Sequence, residues 1–242
     1  MLMDKGADVN AQGGSYGNAL QAASCDSHKE IVQILIEKGA DVNAQGGRYG
    51  NALQAASWNG HKEIVQILIE KGADVNAQGG RYGNALQAAS WNGHKEIVHM
   101  LMDKGADVNA EGGYYGNALQ AASWNGHKEI VHMLMDKGAD VNAQGGFYGN
   151  ALQAASCNGY KEIVRMLMDK GADVNAESAY SGDALYAPSS EGHMHKEIIK
   201  MLMDNGADTN AHGHASEDSY EDEDDLLADG SIPDLTTNGG SD

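Results

Sequence analysis

The chain repeats itself, and the length of the repeat limits what it can fold into. The string Ala-Asp-Val-Asn-Ala begins at Ala7, Ala40, Ala73, Ala106, Ala139 and Ala172, each step being 33 residues. A seventh version, Ala-Asp-Thr-Asn-Ala, begins at Ala207 after a step of 35. Residues 43–75 and 76–108 differ at only four of 33 positions: Gln66/His99, Ile67/Met100, Ile69/Met102 and Glu70/Asp103. A period of this size marks a tandem array in which each unit touches only its neighbours. The array covers residues 1–211, with a partial unit 1–9 and units 10–42, 43–75, 76–108, 109–141, 142–174 and 175–209. Residues 212–242 form a separate tail.

Within one unit the local signals keep a fixed order. In 43–75, Gly46, Gly47 and Gly50 surround Arg48-Tyr49, which predicts a tight turn or finger needing positive φ. Asn51 is a good N-cap for a short helix, Ala52 to Trp58, that Asn59-Gly60 ends. Lys62 to Lys71 predicts a second helix with Ile64, Ile67 and Leu68 on one face. Glu63 in its first turn and Lys71 in its last match the macrodipole. Neither helix is long enough to be stable alone, so the units must stack. The alanines let first helices approach closely, and the second helices' Ile, Val, Leu and Met fill the remaining space.

These residues resemble the ankyrin repeat. Gly60-His61-Lys62-Glu63-Ile64-Val65 and Gly72-Ala73-Asp74-Val75-Asn76-Ala77 carry the resemblance. It implies an all-α solenoid of stacked helix-turn-helix units with β-turn or hairpin fingers, a protein-binding module and no enzyme. The family's Thr-Pro-Leu-His is Asn51-Ala52-Leu53-Gln54 here. Asn replaces Thr as the cap, and Gln54 stands where the family's His ties hairpins together. The family's Asp at the turn start is Gly46. The combination Gly-Gly-x-Tyr-Gly-Asn-Ala-Leu-Gln-Ala-Ala-Ser looks like arrays of filamentous fungi, many of them C-terminal to NLR-like receptors that carry an NTPase. No NTPase motif is present in this chain.

The two ends differ from the middle. Met1–Ala11 is identical to Met100–Ala110, so Met1 aligns with the interior of a second helix. The expectation is a truncated gene product, a misplaced start or a fragment of a longer protein, with a natural short form as the alternative. In the last unit Asp183 replaces the capping Asn, Tyr186 replaces the Gln, and Pro188 falls inside the first helix, which predicts a short or broken helix. The tail holds ten acids and no Lys or Arg. Like-charge repulsion without apolar burial predicts disorder. Its acidophilic kinase and dileucine patterns are the kind that arise by chance.

The formal charge of −19 opposes nucleic acid and anionic membrane. No signal peptide is evident and no apolar run approaches 18 residues. Cys25 and Cys157 lie four units apart, beyond disulfide reach. An intracellular, cytoplasmic location is expected, with the nucleus left open.

No cofactor, metal or small-molecule substrate is expected. His28, His61, His94 and His127 recur once per unit, which predicts a structural role at the Gly-His corner. The spacing from His94 to His99 is i,i+5, unlike a zincin helix, and the loose C-terminal set His193, His195, His212 and His214 suits at most a stray ion. The glycine runs lack the Lys-Ser/Thr of a phosphate loop, and neither cysteine has a consistent neighbouring base.

The informative signal is variation between near-copies. One column, at the finger tip, runs Ser15, Arg48, Arg81, Tyr114, Phe147, Tyr180. Another, at the end of the first helix, runs Cys25, Trp58, Trp91, Trp124, Cys157, Ser190. The resemblance implies that both point into a concave groove used for partners, and Arg, Tyr and Trp dominate interface hot spots. A solvent-facing ladder of Trp58, Trp91 and Trp124 would be an apolar patch with a purpose. The opposing expectation is that these indoles pack on the next hairpin. A second-helix column, Gln33, Gln66, His99, His132, Arg165 and Lys200, faces away and serves as a control. A structural spacer within a larger receptor is the competing function.

Overall fold

The computed structural model describes residues 6–147, 149–176, 184 and 192–208. Its helices alternate short and longer: α1 (Ala19–Cys25), α2 (Lys29–Glu37), α3 (Ala52–Trp58), α4 (Lys62–Glu70), α5 (Ala85–Trp91), α6 (Lys95–Asp103), α7 (Ala118–Trp124), α8 (Lys128–Asp136), α9 (Ala151–Cys157), α10 (Lys161–Asp169) and α11 (Gly192–Asp204). Each odd helix through α9 packs on its own partner and, through α7, also on the next odd helix, while α2, α4, α6, α8, α10 and then α11 touch more sparsely along the stack. Among the described residues there is no strand, only isolated antiparallel bridges at Gly13–Gly17 and Gly46–Gly50.

The first helices begin where Asn caps them. Asn84 is extended and its side chain accepts from the Gln87 N–H, while Gln87 Oε1 accepts from the Asn84 N–H, a reciprocal capping box. The same box recurs at Asn18, Asn117 and Asn150. Helices of seven residues end where the Asn-Gly turn carries Gly60, Gly93 and Gly126 at φ near 75°, conformations that glycine adopts without a Cβ penalty.

Burial matches the expected faces with one addition. Leu53, Ala55, Ala56, Ile64 and Leu68 are essentially inaccessible, and so is Val65, a position outside the face expected from spacing. Ile67 is only half-buried. The core is one continuous aliphatic seam from Leu20 to Leu202. Ile31 is 48% exposed where Ile64 is 1%, because Ile64 has a preceding helix pair against it and Ile31 has none among the described residues.

Three polar rails tie consecutive units. The Gln87 amide donates to the carbonyls of Ala110, Gly112 and Gly116 in the next unit, at 3.0, 3.2 and 2.8 Å. Gln21, Gln54 and Gln120 repeat the arrangement. Asn76 donates to the Gly105 carbonyl and accepts from the Asp107 N–H, and its copies do the same from Asn10 to Asn175. On the outer edge Lys29, Lys95 and Lys62 reach Glu63, Glu129 and Glu96 of the following helix, at 2.5, 2.5 and 3.5 Å. Lys128–Glu162 and Lys161–Glu197 continue the row. These pairs are exposed and individually weak.

The expected break at Asp183, Tyr186 and Pro188, the partial unit's Met1, and the tail lie outside the described residues.

Gln87 is buried, so its removal orphans three carbonyls as well as one cap. Gln87→Ala should cost about 3 kcal/mol, from desolvated acceptors left unpaired, and lower the urea midpoint. Ser90, three residues further along the same helix, is fully buried and its hydroxyl has no partner among the described residues. Ser90→Ala should leave the midpoint unchanged or raise it, since an unpaired buried hydroxyl only costs desolvation.

Candidate functional site

The fingers are built by glycine. Gly46 donates to the Gly50 carbonyl at 2.8 Å, and Gly47 and Gly50 sit at φ 62° and 96°. A Cβ at Gly80 would lie 2.4 Å from the Tyr49 backbone of the preceding finger, so only glycine lets successive fingers lie this close. Their tips then join by one backbone bond per unit. Arg48 N–H donates to Ser15 O, Arg81 to Arg48, Tyr114 to Arg81 and Phe147 to Tyr114, at 2.9 to 3.1 Å. The variable fingertip column is therefore a continuous rail. Arg48 is exposed, Arg81 and Tyr114 are half-buried, and Phe147 is 38% exposed. Tyr114 and Phe147 stack at 5.3 Å between centroids. Tyr180 lies outside the described residues.

Behind the tips runs a row of tyrosines that gives no signal as variation, because it is the same in five consecutive units and changes only at Ser181. Tyr16, Tyr49, Tyr82 and Tyr115 succeed one another at 6.4, 5.8 and 6.3 Å. The Trp column meets this row. Trp58 stacks on Tyr82 at 3.7 Å and Trp91 on Tyr115 at 3.6 Å. Trp58 is only 8% exposed, and Trp91 and Trp124 are half-buried. The expectation of a solvent-facing Trp ladder is thus corrected at Trp58, whose indole is covered by the next unit's finger. Cys25, Tyr49, Ala55, Trp58, Tyr82 and Ala88 make a second apolar seam, between fingers and first helices.

In the first unit Cys25 takes the indole's place. Its thiol donates to the Tyr49 hydroxyl at 3.5 Å. Burial pushes this thiol up, and the Tyr49 phenol is pushed up to about 12, chiefly by desolvation. A thiol held protonated is a poor nucleophile. Arg48 lies over the rings of Tyr16 and Tyr49, at 5.1 and 4.8 Å, and donates to the Tyr49 hydroxyl at 3.0 Å. Two aromatic faces and one hydroxyl thus fix the guanidinium at the surface of the fingers.

The corner histidines work across units. His61 Nε2 lies 2.7 Å from Cys25 O, His94 Nε2 3.0 Å from Trp58 O, and His127 Nε2 2.8 Å from Trp91 O. Each accepting carbonyl ends a first helix and has no partner inside it, so the ring donates there. A Cβ at Gly93 would sit 2.6 Å from His127; the Gly-His pair is a glycine in one unit receiving the imidazole of the next. His28 is exposed and Tyr160 occupies the corner after Gly126.

The control column lies on the longer helices, with Gln33, Gln66, His99, His132, Arg165 and Lys200 in α2, α4, α6, α8, α10 and α11. His99 Nδ1 is 2.8 Å from Asp103, and an open hollow of about 430 Å³ between α4, α6 and α8 is lined by Lys62, Lys95, Lys104, His99, Met100 and Met133. Among the described residues no three His, Cys, Asp or Glu side chains gather as a metal site, and no helix is long and apolar enough to cross a membrane. Of the C-terminal histidine set, His193 and His195 fall in α11 and His212 and His214 lie outside the described residues.

The family model for ankyrin repeats (3 copies) matches residues 1–79, 51–112, 78–145 and 119–212. The chain belongs to the ankyrin repeat family. Ankyrin repeats are in general protein-interaction modules on a non-catalytic fold. Comparison with curated proteins gives no match. In this ankyrin array the glutamine takes over the tie between hairpins, and the Asn cap stands in for the usual Thr.

Burial holds the His94 and His127 pKa values below the ordinary 6.5, against the pull of the carbonyl bonds. Folding therefore favours the neutral rings. Their contribution is complete above pH 6.5 and declines as pH falls through the lowered folded values. Glu63, Glu129, Glu162 and Glu197, lowered by hydrogen bonds to lysines, lose theirs only below 4.5. Thermal melts should show a first loss of stability just below pH 6.5, and this step should shrink in the His94→Gln/His127→Gln double variant.

Proposed function

We propose that the array recognises another protein through its concave finger and first-helix face, with Arg48, Arg81, Tyr114 and Phe147 as the principal contacts. The observation that carries this is a rail of changing side chains on an unchanging backbone ladder. Near-identical units hold their scaffold columns constant, while the tips pass from Ser to Arg to aromatic. Tyr180 continues the column in sequence. The partly open edges of Trp91 and Trp124 border the same face. Trp58 supports it from below, since its indole is spent on Tyr82.

Rigid presentation suits the task. Arg48 is pinned over two rings, so little side-chain entropy is lost when it contacts a partner. Substrate turnover is not part of this function, and neither a cofactor nor a nucleic acid is involved. The competing function is a structural spacer within a longer protein, which would leave the fingertips indifferent to substitution.

The two separate in one experiment. Arg48→Ala/Arg81→Ala/Tyr114→Ala/Phe147→Ala should abolish capture of the partner bound by the unmodified chain, with little change in thermal midpoint. Gln66→Ala/His99→Ala/His132→Ala/Arg165→Ala should keep it. The opposite pattern would reject this face. Trp58→Ala is expected to cost about 3 kcal/mol of stability, as a buried Trp truncation does, and so is unsuitable as a binding probe.

A further inference from the structure

We infer that the fingertip rail binds the acidic C-terminal segment of the same chain, Glu217–Asp225, around Arg48 and Arg81. This deepens the proposed function by naming a first occupant of that face.

The distribution of charge points there. Every lysine of the chain falls in a second-helix segment or the turn closing it. Lys29, Lys62, Lys95, Lys128 and Lys161 are met there by glutamates of the next unit, and Lys137 and Lys170 by Asp103 and Asp136. The outer side is therefore largely compensated by its own carboxylates. Arginine is placed differently: of three in the chain, two are fingertips. Arg48 is exposed, held by Tyr16 and Tyr49, and meets no carboxylate among the described residues. A fixed, weakly hydrated guanidinium suits a carboxylate ligand. Arg81 is the next tip along the same rail, so a second cation lies in line with the first. Within a chain of formal charge −19, this places two neighbouring guanidinium groups on the finger rail, apart from the lysines of the second helices.

The segment Glu217–Asp225 carries seven acids in nine residues, with Tyr220 among them. It can also reach. From Asp208 the thirteen to seventeen residues to Glu221–Asp225 extend up to about 43 to 56 Å. The four stacked units back to Arg81 span roughly 40 Å, and the path to Arg48 roughly 50 Å, at about 10 Å per unit, so the Glu221–Asp225 end of the segment makes the contact. Several carboxylates clustered on a tether raise the local ligand concentration at the rail. Occupancy by this segment would make an outside partner compete for the fingertips.

The test uses the full chain at low salt, monitoring the backbone amide signals of residues 217–225 by NMR. Those signals should differ from the same residues in a synthetic 212–242 peptide. They should move to the peptide positions in the Arg48→Gln/Arg81→Gln variant, and stay in Arg48→Lys/Arg81→Lys, which keeps the charge. In the unmodified chain, about 0.5 M salt should have the same effect as the Gln variant, because contacts at the surface are screened; this arm needs no substitution to fold. Tail signals identical in chain and peptide would overturn the inference, as would shifts that grow with protein concentration, which would mean a second copy's tail. Because no outside partner is present, the result is independent of the partner-capture experiment.

Discussion

A first helix of seven residues cannot hold itself together, and the buried glutamine shows what replaces its missing length. The Gln87 side chain faces its own Asn84 with its oxygen and the next unit's carbonyls with its nitrogen. One amide therefore closes a cap and a junction at once. If the next unit moves away, its carbonyls are left buried and unpaired, and the cap loses its anchor. Local order and stacking become one equilibrium, which is how a linear array gains cooperativity from contacts between neighbours only.

Around that tie the array divides into two apolar seams. The aliphatic seam runs between first and second helices and is continuous along the stack. The smaller aromatic seam lies between first helices and fingers, where Trp58 covers Tyr82 and Trp91 covers Tyr115. The second seam holds the fingers in place, and the backbone bonds between tips hold them in register. The variable side chains are thus displayed from a surface that is anchored on both sides, so substitution at a tip changes the surface without disturbing the stack.

Polar chemistry in this molecule is assigned to junctions. The imidazoles of His94 and His127 end the preceding first helices, the Asn76 amide bridges to Gly105 and Asp107, and lysines cross to glutamates on the outer edge. These groups, which resemble reactive ones in the sequence, are engaged in holding one unit to the next. The rail of tips, where Arg48 and Phe147 are exposed, is the surface proposed for recognition.

The period, the order of turn, cap and helix within a unit, and the necessity of stacking were all legible in the order of residues. Those signals are local: Asn51 caps the helix that starts at Ala52, Gly60 ends it, and Ile64 and Leu68 share a face by spacing alone. The recurrence of the corner histidines likewise pointed to a structural role. What lies opposite each side chain one unit away was settled by stacking instead. His94 reaches Trp58 across 36 residues and Trp58 meets Tyr82 across 24, so the exposure of an indole at a helix end depended on the neighbouring finger. The tyrosine row stayed silent as variation because Tyr16, Tyr49, Tyr82, Tyr115 and Tyr148 do not differ, so comparing those units gave no contrast to read. Pairwise distances between units are set by how helices of small and large residues nest, and no single unit's sequence carries that geometry.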